Sequence, residues 1–199
     1  MKMFPYIHNI DDVLPHIKTF DEFVVAERDG FTWIDYVIEV SGQTFDRKYD
    51  GWEYRRECRG LFFDKKGGII SRPMHKVFNV NQLEETLAHN IKWEDIMFIE
   101  EKRDGSMIRP FILKGEIRWA TRKGITEVAM QVENFVKENE KYDFFARKLC
   151  EKNITPLFEW TSPTNRIVVN YEKEELTLLL ARENFSGNYL PIRSHSLSR

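Results

Sequence analysis

Cysteine is scarce in this chain of 199 residues: there are two, Cys58 and Cys150, each in a different apolar setting. They form no Cys-x-x-Cys pair and no disulfide framework, and the five histidines are too scattered for metal-ligand spacing, so a zinc centre is not expected. Long apolar runs are also lacking. Nothing approaches the roughly 18 residues of a membrane-crossing helix, and the first ten residues carry a charge but no continuous apolar stretch. The expectation is a reducing, cytoplasmic setting and no membrane partner. Charge of one sign is missing as well, because the net charge is −2 with 31% charged residues. The overall balance gives no pull on a polyanion, so any nucleic-acid surface must be local. There is no internal repeat, low-complexity run or linker, and no serine-histidine-acid constellation.

What is present suits one core. Hydrophobic residues make up 42% and aromatic residues 14%, which points to a single domain over residues 1–199. Two short helical patterns run through 10–25, broken around Pro15 and Thr19, and an alternating strand follows over 33–40. A hairpin is expected from strands at 58–64 and 68–72, and a short helix over 81–89. Further strands are expected at 107–113, 116–122, 155–160, 166–171 and 176–182. Val128, Val132, Phe135, Tyr142, Phe145 and Leu149 lay one apolar stripe along a helix over 126–150. The sum is an α+β domain of antiparallel sheets with flanking helices.

The most informative stretch is Lys102-Arg103-Asp104-Gly105-Ser106. An apolar run, Ile96 to Ile99, precedes it and a second strand resumes at Met107, so the pattern reads as a hairpin that presents an amine on an Asp-Gly turn. A lysine that attacks the α-phosphate of a nucleotide must be held still and partly deprotonated. A free lysine has a pKa near 10.4, so desolvation, neighbouring cations or a metal ion must favour its neutral form. The same five residues also occur as an ordinary solvated turn.

Three other blocks decide the matter. Glu57 to Asp64 (Glu-Cys-Arg-Gly-Leu-Phe-Phe-Asp) and Ser71 to Asn79 (Ser-Arg-Pro-Met-His-Lys-Val-Phe-Asn) come before the lysine, and Leu157 to Val168 (Leu-Phe-Glu-Trp-Thr-Ser-Pro-Thr-Asn-Arg-Ile-Val) comes after it. In this order the blocks resemble the covalent nucleotidyltransferase superfamily, and most closely the bacteriophage ATP-dependent RNA ligases that repair cleaved tRNA. The resemblance covers residues 30–190 and implies an ATP-grasp-like ligase domain. It implies that Lys102 takes AMP from ATP with the help of Mg²⁺, and that the AMP passes to an RNA 5′-phosphate before a 3′-hydroxyl end seals the strand. The location it implies is the host cytoplasm, if the gene is a phage's.

The remaining site residues follow from the same resemblance. Arg59 and Lys76 match an arginine and a lysine of the nucleotide site, which makes them phosphate or ribose ligands; the alternative for each is a surface cation at a sheet edge. Glu159 lies in an otherwise apolar strand, Pro156 to Trp160, where an unpaired carboxylate would be costly. It is expected to accept ribose hydroxyls or to hold a metal-bound water. Lys123 is a third phosphate ligand or a solvated turn cation, and Tyr36 either meets the nucleotide or fills the core.

One departure stands against the family pattern. A family member continues beyond Leu176 to Asn184 into a Glu-Gly-x-Val block and a Lys-x-Lys block, and neither is found here. The expectation is a domain incomplete at its C-terminus, served by a separately encoded C-terminal half, or a noncatalytic nucleotide- or RNA-binding remnant. A capping-type guanylyltransferase shares the lysine motif but not the blocks around it.

Overall fold

The computed structural model describes residues 4–37, 42–95 and 100–191. Two antiparallel sheets carry the fold. The first has the order β1 (Phe23–Arg28), β2 (Phe31–Tyr36), β3 (Leu61–Phe63), β4 (Ile69–Ser71). In the second, β6 (Glu116–Ala120), β5 (Ser106–Leu113), β7 (Ile154–Thr161), β8 (Glu175–Glu183) and β9 (Tyr189–Leu190) lie side by side in that order. Local chemistry sets the hairpins. Asp29-Gly30 joins β1 to β2 with φ of 48° and 91°, and Lys114-Gly115 joins β5 to β6 with φ of 53° and 86°; these are the paired positive values of a two-residue turn that matches strand twist. Between β3 and β4 the Asp64 carboxylate accepts from the Lys66 and Gly68 amides at 2.8 and 2.9 Å.

The sheets are layers between three apolar clusters. Ile34, Leu61 and Phe63 turn outward from the first sheet to meet Ile7, Val13 and Ile17 of the N-terminal segment. Phe31, Trp33 and Phe62 of the first sheet meet Phe111 and Ala120 of the second. Ile108, Trp119, Phe158 and Trp160 pack on the far side of the second sheet against α2 (Glu127–Glu138) and α3 (Lys141–Cys150). Because side chains alternate along a strand, this arrangement fixes which residues of β5 and β7 look into the space between the sheets: Met107, Arg109 and Phe111 on β5, and Leu157 and Glu159 on β7.

The α+β architecture and the hairpin over 58–72 agree with the sequence reading, while several elements differ. The helical stripe over 126–150 is two helices, because Asn139 leaves the helical region (φ −133°, ψ 64°) and its Nδ2 donates to the Phe135 carbonyl at 2.8 Å. Phe135 and Tyr142 meet across the break with centroids 5.7 Å apart, which is how an unbroken apolar period survives a broken helix. Residues 10–25 give two 3-10 turns (Ile10–Asp12 and Leu14–His16) and then enter β1, and 81–89 gives one such turn, Glu84–Thr86. A short helix, α1 (Trp52–Glu57), precedes the 58–72 hairpin. Residues 166–171 are not a strand. The strand expected over 96–99, the first arm of the lysine hairpin, lies outside the described residues; the second arm forms as β5, with β6 and β7 as its partners.

Buried charge clamps the sheets together. Glu57, at the end of α1, takes Arg182 of β8 on both oxygens at 2.7 Å and Arg72 on Oε2 at 3.0 Å. Burial pushes the Glu57 carboxyl up, and the two guanidinium groups more than reverse this, leaving it below its usual value. Beside the clamp, the Tyr189 hydroxyl accepts from the His75 amide at 3.3 Å and is hydrogen-bonded to His75 Nδ1 at 2.7 Å. Burial, with help from the Arg182 charge, lowers His75 from 6.5 to about 4. A base lowered in the fold binds fewer protons there than in the unfolded chain, so stability is fully present above about 6.5 and falls as pH drops toward 4. With solvent screening allowed for, the loss attributable to this ring is on the order of 2 kcal/mol. Denaturant titrations at pH 7 and 4.5 should show that the acid-induced loss is smaller by that amount in His75→Gln.

Candidate active site

Lys102 is exposed in the extended segment that leads into β5. Behind it, Gly105 lies so close to β7 that a Cβ there would fall 2.2 Å from the Trp160 carbonyl oxygen, so only glycine lets the turn press against that strand. The approach has a polar partner. Glu159 Oε1 accepts from the Gly105 amide at 3.0 Å, and Glu159 pairs in register with Met107. Burial raises the Glu159 carboxyl above its usual value, while the Gly105 amide and the Lys102 charge pull it back. Lys102 and Glu159 are therefore electrostatic neighbours at one end of the second sheet, with Glu159 facing the first.

Cations gather on a second wall, where the loop before β3 meets the segment after β6. Gly60 has φ +91°, and a Cβ there would meet the Arg122 carbonyl at 2.6 Å, which brings the loop carrying Arg59 against the end of β6. Arg59 Nη1 is buried with no hydrogen-bond partner among the described residues. A buried guanidinium donor left open in this way fits an anionic group that would complete it. Lys76 Nζ lies 5.8 Å from the Tyr36 ring and 5.1 Å from the Phe78 ring, and the Arg122 guanidinium covers the other contact of Tyr36 at 4.1 Å. Tyr36 itself is buried and packs edge-on to Phe45 at 5.2 Å. Lys123 is exposed on the Thr121–Gly124 turn; its carbonyl accepts from Arg28 Nη1 at 2.9 Å, a backbone contact that gives its ammonium group no direction.

The structure thus brings Lys102 to Glu159, and Lys76 to Tyr36, while Arg59 joins the second group through Gly60 and Arg122. Two further residues, Asp35 and Arg109, complete the wall and are not among those singled out from sequence. Asp35 Oδ1 accepts from Arg122 Nε and Nη2 at 2.8 and 2.6 Å; its carboxyl is raised by burial and held back by that arginine. Arg109, fully buried, donates to Ser71 Oγ at 2.8 Å and to the Thr121 and Gly60 carbonyls. Burial lowers it to about 9, with the Asp35 charge opposing and Arg59 adding to the fall. An arginine inside Met107-Ile-Arg-Pro-Phe-Ile-Leu was a visible signal, of the same kind that drew attention to Glu159. Arg59, Lys76, Arg109 and Arg122 thus gather around Gly60 and Tyr36 with Asp35 as the carboxylate among them, a local positive excess in a chain whose net charge is −2. Among the described residues no group of three or more His, Cys, Asp or Glu could cage a metal ion, and no helix is long and apolar enough to cross a membrane.

Comparison with known proteins identifies relatives of the chain. The chain is 33% identical over 183 residues to a "Putative RNA ligase" of Thermovibrio ammonificans, covering 91% of the chain and 46% of that protein. It is 29% identical over 144 residues to RNA ligase 1 of bacteriophage TS2126, covering 68% of the chain and 36% of that protein. The chain spans less than half the length of each of these relatives. The RNA ligase family model matches residues 57–198, which takes in Glu57, Arg59, Lys76, the lysine turn and Glu159. The chain belongs to the RNA ligase family.

Proposed function

We propose that this chain is the ATP-dependent adenylyltransferase part of an RNA ligase, in which Lys102 becomes covalently attached to AMP. The observation that supports the reading is the pairing of an exposed lysine with a half-buried carboxylate at the lysine turn, in a chain that also gathers Arg59, Lys76, Arg109 and Arg122 into one group. Lys102 Nζ, having given up its ammonium proton, attacks the α-phosphate of ATP; the new N–P bond forms as the bond from that phosphorus to the pyrophosphate oxygen breaks. Arg59, whose buried Nη1 has an open donor, and Lys76 would take phosphate oxygens, a role for which a guanidinium fork is suited. Glu159 would accept a ribose hydroxyl. A single carboxylate fits a Mg²⁺ that arrives on the triphosphate and keeps most of its waters, and such an ion would offset charge on the leaving pyrophosphate.

The RNA side of the reading follows from the family. AMP would pass from Lys102 to an RNA 5′-phosphate and be displaced by a 3′-hydroxyl, with cleaved tRNA as the substrate class. A separately encoded C-terminal half belongs to the proposal as the source of the Lys-x-Lys cations, since stabilising developing charge is commonly the largest catalytic contribution.

Incubation with ATP or GTP labelled at the α-phosphate, with and without Mg²⁺ and with and without the C-terminal part of a longer relative, followed by a denaturing gel, tests the reading. An acid-labile label from ATP is expected. Label from GTP alone, or nucleotide binding with no label under any condition, would overturn it. Glu159→Ala should lower the labelling rate on the order of a hundredfold while shifting Tm by only a few degrees, whereas a purely structural carboxylate would do the reverse. Because burial raises the Glu159 carboxyl, labelling should fall with decreasing pH earlier than for an ordinary glutamate, and Glu159→Gln should remove that acid limb.

A further inference from the structure

The loop of residues 162–171, after β7, was expected to include a strand, and what replaces the strand has a role of its own. The Asp104 carboxylate, two residues beyond Lys102, accepts the backbone amides of Val168 and Val169 on a single oxygen, Oδ2, at 2.6 Å each. In return the Tyr171 hydroxyl oxygen accepts the Asp104 backbone amide at 3.1 Å. A third tie lies one turn further on, where Ser106 Oγ meets the Asn165 side chain at 3.0 Å from Nδ2 and Asn165 Nδ2 also reaches the Trp160 carbonyl at 3.2 Å. Lysine turn and loop therefore hold each other reciprocally: the turn supplies an anion to the loop's amides, and the loop supplies an oxygen to the turn's amide.

We propose that residues 162–171 form a strap that fixes the lysine turn, with Tyr171 as a positioning residue that acts on Lys102 through the Asp104 backbone. The proposal deepens the adenylyltransferase reading and rests on it. The physical case is one of placement. Lys102 is exposed and lies in a segment with no strand partner of its own, so little else among the described residues restrains it. On its C-terminal side the backbone is held at Asp104 by Tyr171 and at Gly105 by Glu159, on opposite edges of the turn. The amides of Val168 and Val169 hold the Asp104 carboxyl below the usual range, so the strap's ionic half stays engaged at neutral pH. Ile167, Val168 and Val169 are exposed, so their side chains are not what seats the loop, and the hydrogen bonds to Asp104 take that part. A reacting nitrogen displaced by about 1 Å can lose on the order of a hundredfold in rate with little change in substrate affinity.

Tyr171→Phe removes one oxygen and keeps the ring. Single-turnover labelling from ATP across a range of ATP concentrations should show the plateau rate down roughly tenfold or more, with the half-saturating ATP concentration within about twofold of the parent. Hydrogen exchange should quicken in a peptide over 100–106 and stay unchanged in one over 107–113. An unchanged plateau rate overturns the proposal, and so does a loss confined to ATP affinity, which would make Tyr171 a nucleotide contact. If Tyr171→Phe does not fold, Asp104→Asn, which weakens the same strap from the other side, is read by the same two measurements and the same outcomes. Lys102→Ala separates this proposal from the reading beneath it: label that persists in Lys102→Ala overturns both, whereas label lost in Lys102→Ala and unaltered in Tyr171→Phe overturns the strap alone.

Discussion

Lys102→Ala is expected to abolish the label from ATP, a fall of roughly a thousandfold or more, while leaving the fold as it was. The two halves of that expectation have separate grounds. Loss of a covalent nucleophile removes the step itself, since neither Glu159 nor the cation wall can form the bond to phosphorus. The fold survives because Lys102 is exposed, and surface substitutions of this kind change stability by about 0.5 kcal/mol or less. Lys102→Arg should fail equally, because a guanidinium stays protonated and cannot attack. Phosphoramidate formation read by acid lability, with Tm measured on the same preparations, checks both halves. Label that persists on Lys102→Ala would sink the assignment.

The candidate site was legible in part because its chemistry sits in residues that break local rules. A carboxylate in the run Pro156 to Trp160 and an amine on an Asp-Gly turn are conspicuous against apolar strands, and the structure puts Glu159 against that turn through the Gly105 amide. In the sequence Asp104 is a turn former, a role any Asp-Gly pair can fill; its partners, Val168 and Val169, are more than sixty positions away, where no local pattern reaches. The same contact explains the misplaced strand. Arg166 to Tyr171 has strand composition, but two of its amides are taken by the Asp104 carboxylate and so are unavailable to a ladder. The long helix failed for a related reason: periodicity reports a face, and the face continues through the break at Asn139 because Phe135 and Tyr142 still touch. β1 was lost within a helical reading because its exposed residues, among them Val25, left little alternation to detect.

Glu57 shows most plainly how a motif residue can serve the fold. It stands at the head of the block that carries Arg59, which invites a catalytic role, yet it is fully buried with both oxygens occupied by Arg72 and Arg182. Those arginines are tied in turn to backbone carbonyls. Arg72 donates to Pro5, Asn184 and Phe185 at 2.9 to 3.1 Å, and Arg182 donates to Pro73 and Gly187 at 2.7 Å. One carboxylate thus joins α1, the end of β4 and β8, and with them both sheets and the N-terminal segment. Glu57→Ala should cost about 3–5 kcal/mol, because it leaves two buried guanidinium groups facing each other without an anion. Against a typical total of about 5–15 kcal/mol that loss leaves a marginal protein, and denaturant titration should show it. Glu57→Gln keeps the volume and one acceptor oxygen but not the charge, so it should recover only part of the loss. The pH dependence carries a sign that tells the variants apart. The folded Glu57 carboxyl lies below its ordinary value of 4.5, so its contribution is fully present above that value and is lost as pH falls through the lower folded one. Below about pH 4.5 the parent should therefore lose stability that Glu57→Gln no longer has to lose, and the two denaturation midpoints should converge. Replacing Glu57, Arg72 and Arg182 together by leucine and methionine should recover more stability than any single change, since an apolar trio of similar volume leaves no charge unpaired. A Glu57→Ala protein as stable as the parent would show that the clamp holds nothing and that the two arginines are satisfied by carbonyls alone.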